Sequence, residues 1–223
     1  MKKSLLIAAM ALCAQSAFSA PINIAAQLTG DPRPGNPDSL IVDVSIVGDT
    51  SSNVVNWTVD LNSPAHPTAT LGSFAFNLLG AFTDYTASNF NPSGWMLSDG
   101  TNVAGSGGAD FLFQTIDPPG SGNNVTNSVN LTFTLTKSTG NFTIADFISA
   151  PLSTSNDSIL GSGQLGAHIR SLTVNGATCP QGGCSDSGFA MGSYRVPPNE
   201  VPEPASLALL GVGLASLVMR RKK

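Results

Sequence analysis

Cations are scarce in this chain. Only ten of its 223 residues are Lys or Arg, and six of those lie at the ends: Lys2 and Lys3 at the front, Arg220, Arg221, Lys222 and Lys223 at the back. Between residues 20 and 200 only Arg33, Lys137, Arg170 and Arg195 face thirteen carboxylates, a formal charge of −9. Phosphate binding needs clustered cations that displace counterions, so this body is not built for nucleic acid, and anionic lipid is disfavoured for the same reason. Charged residues of either sign make up only 11% of the chain, so solubility must come from Ser, Thr, Asn and Gly, as in Gly105-Ser106-Gly107-Gly108 and Gly120-Ser121-Gly122-Asn123-Asn124. That composition suits extracellular β-proteins with long polar loops. The same composition also occurs in disordered chains, and the regular alternation of the apolar segments between those loops argues against that reading.

Chemistry-bearing patterns are equally sparse. There are two histidines, and neither has a partner at metal-ligand spacing. His66 falls in a turn between Ala65 and Pro67, and His168 in an expected strand; both read as structural. Gly105-Ser106-Gly107 and Gly161-Ser162-Gly163 lack the Gly-x-Ser-x-Gly spacing that exposes a serine on a strained turn, so they read as loops. Glycosidase chemistry uses paired carboxylates, but the aspartates here cluster in turns, where a short carboxylate bonds its own backbone. Asp31, Asn36 and Asp38 in one loop, and Asp99, Asn102 and Asp110 around another, have the oxygen chemistry calcium prefers, yet neither matches a defined calcium loop. No enzyme, cofactor or metal is expected.

Aromatics with a polar tip are also few, two Trp and two Tyr. Trp57 is in phase with a core face. Trp95, Tyr85 and Tyr194 are the candidates for sugar contact, with Trp95 and Tyr85 the leading pair. Of three cysteines, Cys13 lies near the front, after Leu12 where a lipoprotein signal wants a small residue. The other two stand in Cys179-Pro-Gln-Gly-Gly-Cys184, and in an oxidising compartment such a pair forms a disulfide that pins a loop. Asn-x-Ser/Thr triplets begin at Asn56, Asn124, Asn130, Asn141 and Asn156; in a secreted protein such triplets can be glycan acceptors, and in a chain this rich in Asn, Ser and Thr they also arise by chance.

Long apolar runs are confined to the two ends. At the front, Met1-Lys2-Lys3 is a basic start, Ser4 to Ala14 an apolar stretch of signal-peptide length, and Ala17-Phe18-Ser19 supplies small residues for cleavage by signal peptidase after Ser19. At the back, Pro202-Glu203-Pro204 precedes an apolar run from Ala205 to Met219, followed by Arg220 to Lys223. As a helix that run rises about 22 Å at ~1.5 Å per residue, short of a hydrocarbon core roughly 30 Å thick. Arg220 and Arg221 can extend the span by snorkelling, and the basic cluster stays cytoplasmic.

Triplet, short apolar helix and basic terminus in that order resemble a PEP-CTERM sorting signal. The resemblance covers about a tenth of the chain. It implies handling by an exosortase, a membrane-embedded cysteine transpeptidase of Gram-negative bacteria that make exopolysaccharide, with the tail cut near the triplet. The alternative is a plain C-terminal anchor that is never cut. The expected layout is a signal peptide at 1–19, an extracellular domain at 20–196, a linker with the triplet at 197–204, a transmembrane helix at 205–219 and a cytoplasmic tail at 220–223. An inner-membrane precursor with its body in the periplasm would then give a surface or extracellular product.

The body reads as all-β. Residues 22–29 and 39–47 suggest two strands of a meander. Val55, Trp57, Val59 and Leu61 alternate with Asn56, Thr58 and Asp60 at a period of two, and Val129, Leu131, Phe133 and Leu135 do the same against Asn130, Thr132, Thr134 and Thr136. Leu71 to Leu78, Phe111-Leu112-Phe113, Leu165 to Val174 and Gly188 to Tyr194 add further strands, and Thr143 to Ile148 a helical turn capped by Thr143. Nine or ten short strands predict an antiparallel β-sandwich of jelly-roll or immunoglobulin-like type. Three roles remain open: a structural or adhesive component of biofilm matrix, a polysaccharide-binding module, and a secreted hydrolase.

Overall fold

A computed structural model describes residues 19–30, 39–100, 109–117, 124–154, 162–176, 178–179 and 184–198. The expected signal peptide up to residue 18, the loop 31–38 and the tail beyond 198 lie outside these residues. In chain order the strands are β1 (Pro21–Thr29), β2 (Ile41–Asp49), β3 (Val54–Leu61), β4 (Thr70–Phe76), β5 (Tyr85–Asn91), β6 (Met96–Gly100) and β7 (Phe111–Ile116). There follow β8 (Val125–Thr126), β9 (Leu131–Lys137), β10 (Ser153–Thr154), β11 (Ser162–Gly163), β12 (Leu165–Arg170) and β13 (Gly188–Gly192). One helical turn, α1 (Ala145–Ile148), follows β9, and a 3-10 turn at Phe82–Asp84 precedes β5. Among the described residues no helix is long and apolar enough to cross a membrane.

The expected all-β antiparallel class is what the structure has. Its arrangement differs from two separate layers. One 11-stranded sheet runs in the order β5, β9, β3, β2, β1, β13, β12, β4, β7, β6, with β8 attached to β4. It curls on itself into a nearly closed, barrel-like shell, so that Trp57 on β3 meets Phe76 on β4 across the interior. The halves stay joined because β1 and β13 meet edge to edge, Thr29 opposite Met191. Gly192 makes that approach feasible: a Cβ there would lie 2.6 Å from the Gln27 carbonyl oxygen, closer than any side chain tolerates.

Strand patterning explains which faces are inside. Along β3, Val55, Trp57, Val59 and Leu61 are at most 1% exposed, and their alternate neighbours line the outer face. On β9, Leu131, Phe133 and Leu135 turn inward while Thr132, Thr134 and Thr136 turn out. Burying each such large side chain contributes roughly 1.5–3 kcal/mol. On β4 the period breaks. Ser73 pairs with His168 but Leu71 with Ile169, leaving Gly72 as the extra residue of a bulge, so both Ser73 and Phe74 are buried.

One end of the shell is closed by α1. Asp146 accepts from the Thr143 N–H at 2.7 Å and its hydroxyl at 3.0 Å, and from Lys137 Nζ at 2.8 Å. The expected cap is thus reversed: Thr143 donates to the helix carboxylate and supplies no acceptor for the helix backbone. Gln164 completes the closure, its Nε2 donating to the carbonyls of Phe147 at 3.1 Å and Ala150 at 2.7 Å.

Candidate functional site

The two terminal strands of the sheet, β5 and β6, are consecutive in the chain, joined by Pro92–Trp95, yet among the described residues each pairs with one strand only, β9 and β7 respectively. The shell is therefore open along one seam. A groove of about 490 Å³ lies there, lined by Phe82, Tyr85, Thr86, Ala87, Phe90, Trp95, Met96 and Leu97. None of these side chains is charged, and Met96, 50% exposed, stands at the rim.

The groove floor continues into the core through stacked and edge-to-face rings. Phe133 lies 5.3 Å from Phe90 and 5.4 Å from Trp57, and Phe113 lies 5.3 Å from Tyr85 and 4.8 Å from Phe76. Such contacts fix ring orientation as well as burying area. The Tyr85 hydroxyl donates to the Leu79 carbonyl. Burial, then the Asp146 and Asp84 carboxylates, push this phenol up to about 12, so it remains a neutral donor at any physiological pH.

The residues singled out for sugar contact are therefore placed differently from the expectation. Trp95 and Tyr85 do come together in one groove, but Trp95 is 3% and Tyr85 4% exposed, so neither presents an open ring face. Tyr194 is buried too; its hydroxyl donates to the Asn77 carbonyl at 2.9 Å, and burial, then Tyr85, raises it well above the usual phenol range. The sequence hides this because Trp95 and Tyr85 sit in short, poorly patterned segments whose ring partners are distant in the chain.

Cys179 and Cys184 are joined by a disulfide, Cα atoms 5.9 Å apart. His66 is buried, and its Nδ1 accepts from the Thr173 N–H at 3.1 Å. His168 lies on β12; burial first and Arg170 second lower its pKa from the ordinary 6.5. Among the described residues no three His, Cys, Asp or Glu side chains gather as a metal site would require. Asp31, Asn36, Asp38, Asn102, the first Gly-Ser-Gly and Asn156 lie outside the described residues. So do Pro202, Glu203, Pro204, Arg220, Arg221, Lys222 and Lys223.

A second surface was not anticipated as a site. On the outer face of β5, β9 and β3, Thr134 stands between Ser88 and Asn56, Thr132 between Asn91 and Thr58, and Thr136 between Thr86 and Val54. The Thr134 hydroxyl donates to Asn56 Oδ1 at 3.1 Å. This patch is an uncharged array mostly of hydroxyl and amide groups, with a register shift in β5 between Ser88 and Asn91. The alternation of β9 was the signal that could have revealed it.

No curated protein and no solved structure matches the chain. Residues 200–223 match the PEP-CTERM protein-sorting motif. That motif implies an exported protein, sorted to the cell surface and processed by an exosortase.

Proposed function

We propose that this is a surface or extracellular-matrix protein of an exopolysaccharide-producing cell, structural or adhesive and not catalytic, delivered by a tail that an exosortase removes. The sorting motif at 200–223 carries the reading. The body supports it: an acidic, polar-coated β-shell whose exposed side chains offer hydroxyls and amides. In this reading Ala205 to Met219 spans the inner membrane, Arg220 to Lys223 holds the tail on the cytoplasmic side, and the body waits in the periplasm for cleavage near Pro202-Glu203-Pro204.

Replacing Pro202, Glu203 and Pro204 together by alanine tests the proposal. Full-length protein should accumulate in the membrane fraction and disappear from the exterior. Unchanged release would contradict sorting through the triplet.

The Thr and Asn array favours one narrower role, contact with a neutral polysaccharide. Hydroxyls and amides both donate and accept, as sugar hydroxyls do. Retention on a neutral polysaccharide column that is lost on Thr132→Val with Thr134→Val would support it; equal retention of the double variant would refute it.

A further inference from the structure

The register of the β1–β13 seam fixes where the chain enters and leaves the domain. Thr29 lies opposite Met191 and Ala25 opposite Arg195, both antiparallel, so at Arg195 the chain is heading back along β1 toward Pro21. It is held there firmly. The Ala25 N–H donates to the Arg195 carbonyl at 2.9 Å and the Arg195 N–H to the Ala25 carbonyl at 2.8 Å. Just before it, the Tyr194 N–H donates to Gln164 Oε1 at 3.0 Å. At the other terminus the Ala20 N–H donates to Thr50 Oγ1 at 3.0 Å, and the Thr50 N–H to the Ala20 carbonyl at 2.9 Å.

Entry therefore lies at the Ala20 pole, and the outgoing chain, paired as far as Ala25 in the middle of β1, is directed toward that same pole. The turn around Ser52 and the bend after Lys137 belong to it, since the Phe142 N–H donates to the Ser52 carbonyl at 2.9 Å and the Lys137 N–H to the Asn53 carbonyl at 2.8 Å. The opposite pole carries the turn of Ser63 to Pro67, tied to the start of β2 by the Ile41 N–H donating to Ser63 Oγ at 2.8 Å. The segment leading to Cys179 joins that pole through Thr173 and His66. Nine strand residues separate the two poles by about 30 Å at ~3.4 Å each.

We propose that, while the tail is in the membrane, the domain stands on the pole that carries Ala20, presents the Pro-Glu-Pro triplet close against that pole, and turns the disulfide pole outward. The inference rests on the anchoring proposed above. The six residues from Val196 to Val201 reach at most about 20 Å. Returning from the level of Ala25 to that of Pro21 uses roughly 13 Å of it. The triplet thus emerges within about 10 Å of the pole, and the surface facing it is the headgroup layer and the membrane-embedded transpeptidase. Asp49 and Asp84 at this pole give no attraction to phosphate headgroups, so the short tether sets the orientation.

The test uses the chain from Ala20 to Lys223, with its tail and without the apolar leader, reconstituted in vesicles of neutral lipid containing a headgroup-linked quencher. A fluorophore is placed on Thr139→Cys at the near pole or Ala65→Cys at the far pole, both exposed positions. Flotation with the vesicles reports anchoring independently. The Thr139 probe should be quenched several-fold more than the Ala65 probe. Equal or reversed quenching in floated protein overturns the orientation, whereas protein that does not float overturns the anchoring reading and the orientation with it. In cells that process the native chain, deleting Pro197 to Asn199 should cut processing at least tenfold without releasing the protein from the membrane. Processing at the native rate would refute close presentation of the triplet.

Discussion

The Trp57 indole lies 4.5 Å, centroid to centroid, from the Phe76 ring, and this contact bridges the two halves of the curled sheet. Phe74, Phe133, Phe147 and Tyr194 complete the cage at 5.4 to 6.2 Å. Trp57→Ala should cost about 3–5 kcal/mol in urea denaturation. The indole Nε1 has no hydrogen-bond partner among the described residues, so Trp57→Phe forfeits no bond, leaves a smaller cavity and should cost clearly less than Trp57→Ala.

Removing the carboxylate that caps the shell should be worse than removing its cation. Asp146 receives three donors, and its side chain is 8% exposed against 20% for Lys137. Asp146→Ala strands the Thr143 N–H and a partly buried ammonium, and should cost about 3 kcal/mol. Lys137→Met keeps the alkyl stem and the Thr143 bonds and should cost about half that. Thermal unfolding of the two variants checks the order; equal losses would contradict it.

Acid should weaken the fold through His168. Because burial and Arg170 lower its folded pKa, the unfolded chain takes up the proton first as pH falls. Its contribution is therefore intact above about 6.5 and declines below it, until the folded imidazole also titrates. Urea midpoints at pH 7.5 and 5.5 should differ in that direction for the native chain. The difference should shrink in His168→Gln.

The disulfide closes a loop of only six residues, so its loss should cost about 2 kcal/mol in the chain-entropy model. Cys179→Ser with Cys184→Ser should keep the β-sheet circular dichroism and lower the melting temperature modestly. Loss of the sheet signal would mean that the bridge organises more than its own loop.

Burial also changes how a ligand test must be made. Trp95→Ala would open a cavity in a packed site and cost about 3 kcal/mol, so lost binding would confound contact with unfolding. Met96→Ala at the groove rim changes the exposed surface with an expected stability effect within about 0.5 kcal/mol.

Much of this shell was legible in the sequence, because one-sided burial imposes a period of two. Val55 to Leu61 and Leu131 to Leu135 carry that period and occupy the inward face as expected, whereas Val129, expected with them, precedes β9 in the turn and is 40% exposed. Three features escaped for physical reasons. In β5 only Tyr85 is buried, since an edge strand of Thr, Ser and Asn with solvent on its outer side needs no alternation. The bulge at Gly72 shifts the phase of β4 and makes its pattern irregular. The seam between β1 and β13 joins distant parts of the chain through backbone groups, which carry no side-chain signature, so a single curled sheet reads as two layers. The sorting tail was legible for the opposite reason: its triplet, apolar run and basic end act locally and in order.

The delivery account meets its most direct test in the intact mass of the protein recovered outside the cell. It predicts a chain that begins at Ala20 and ends close to Pro202, Glu203 or Pro204. A mass that still contains Ala205 to Met219 would contradict it.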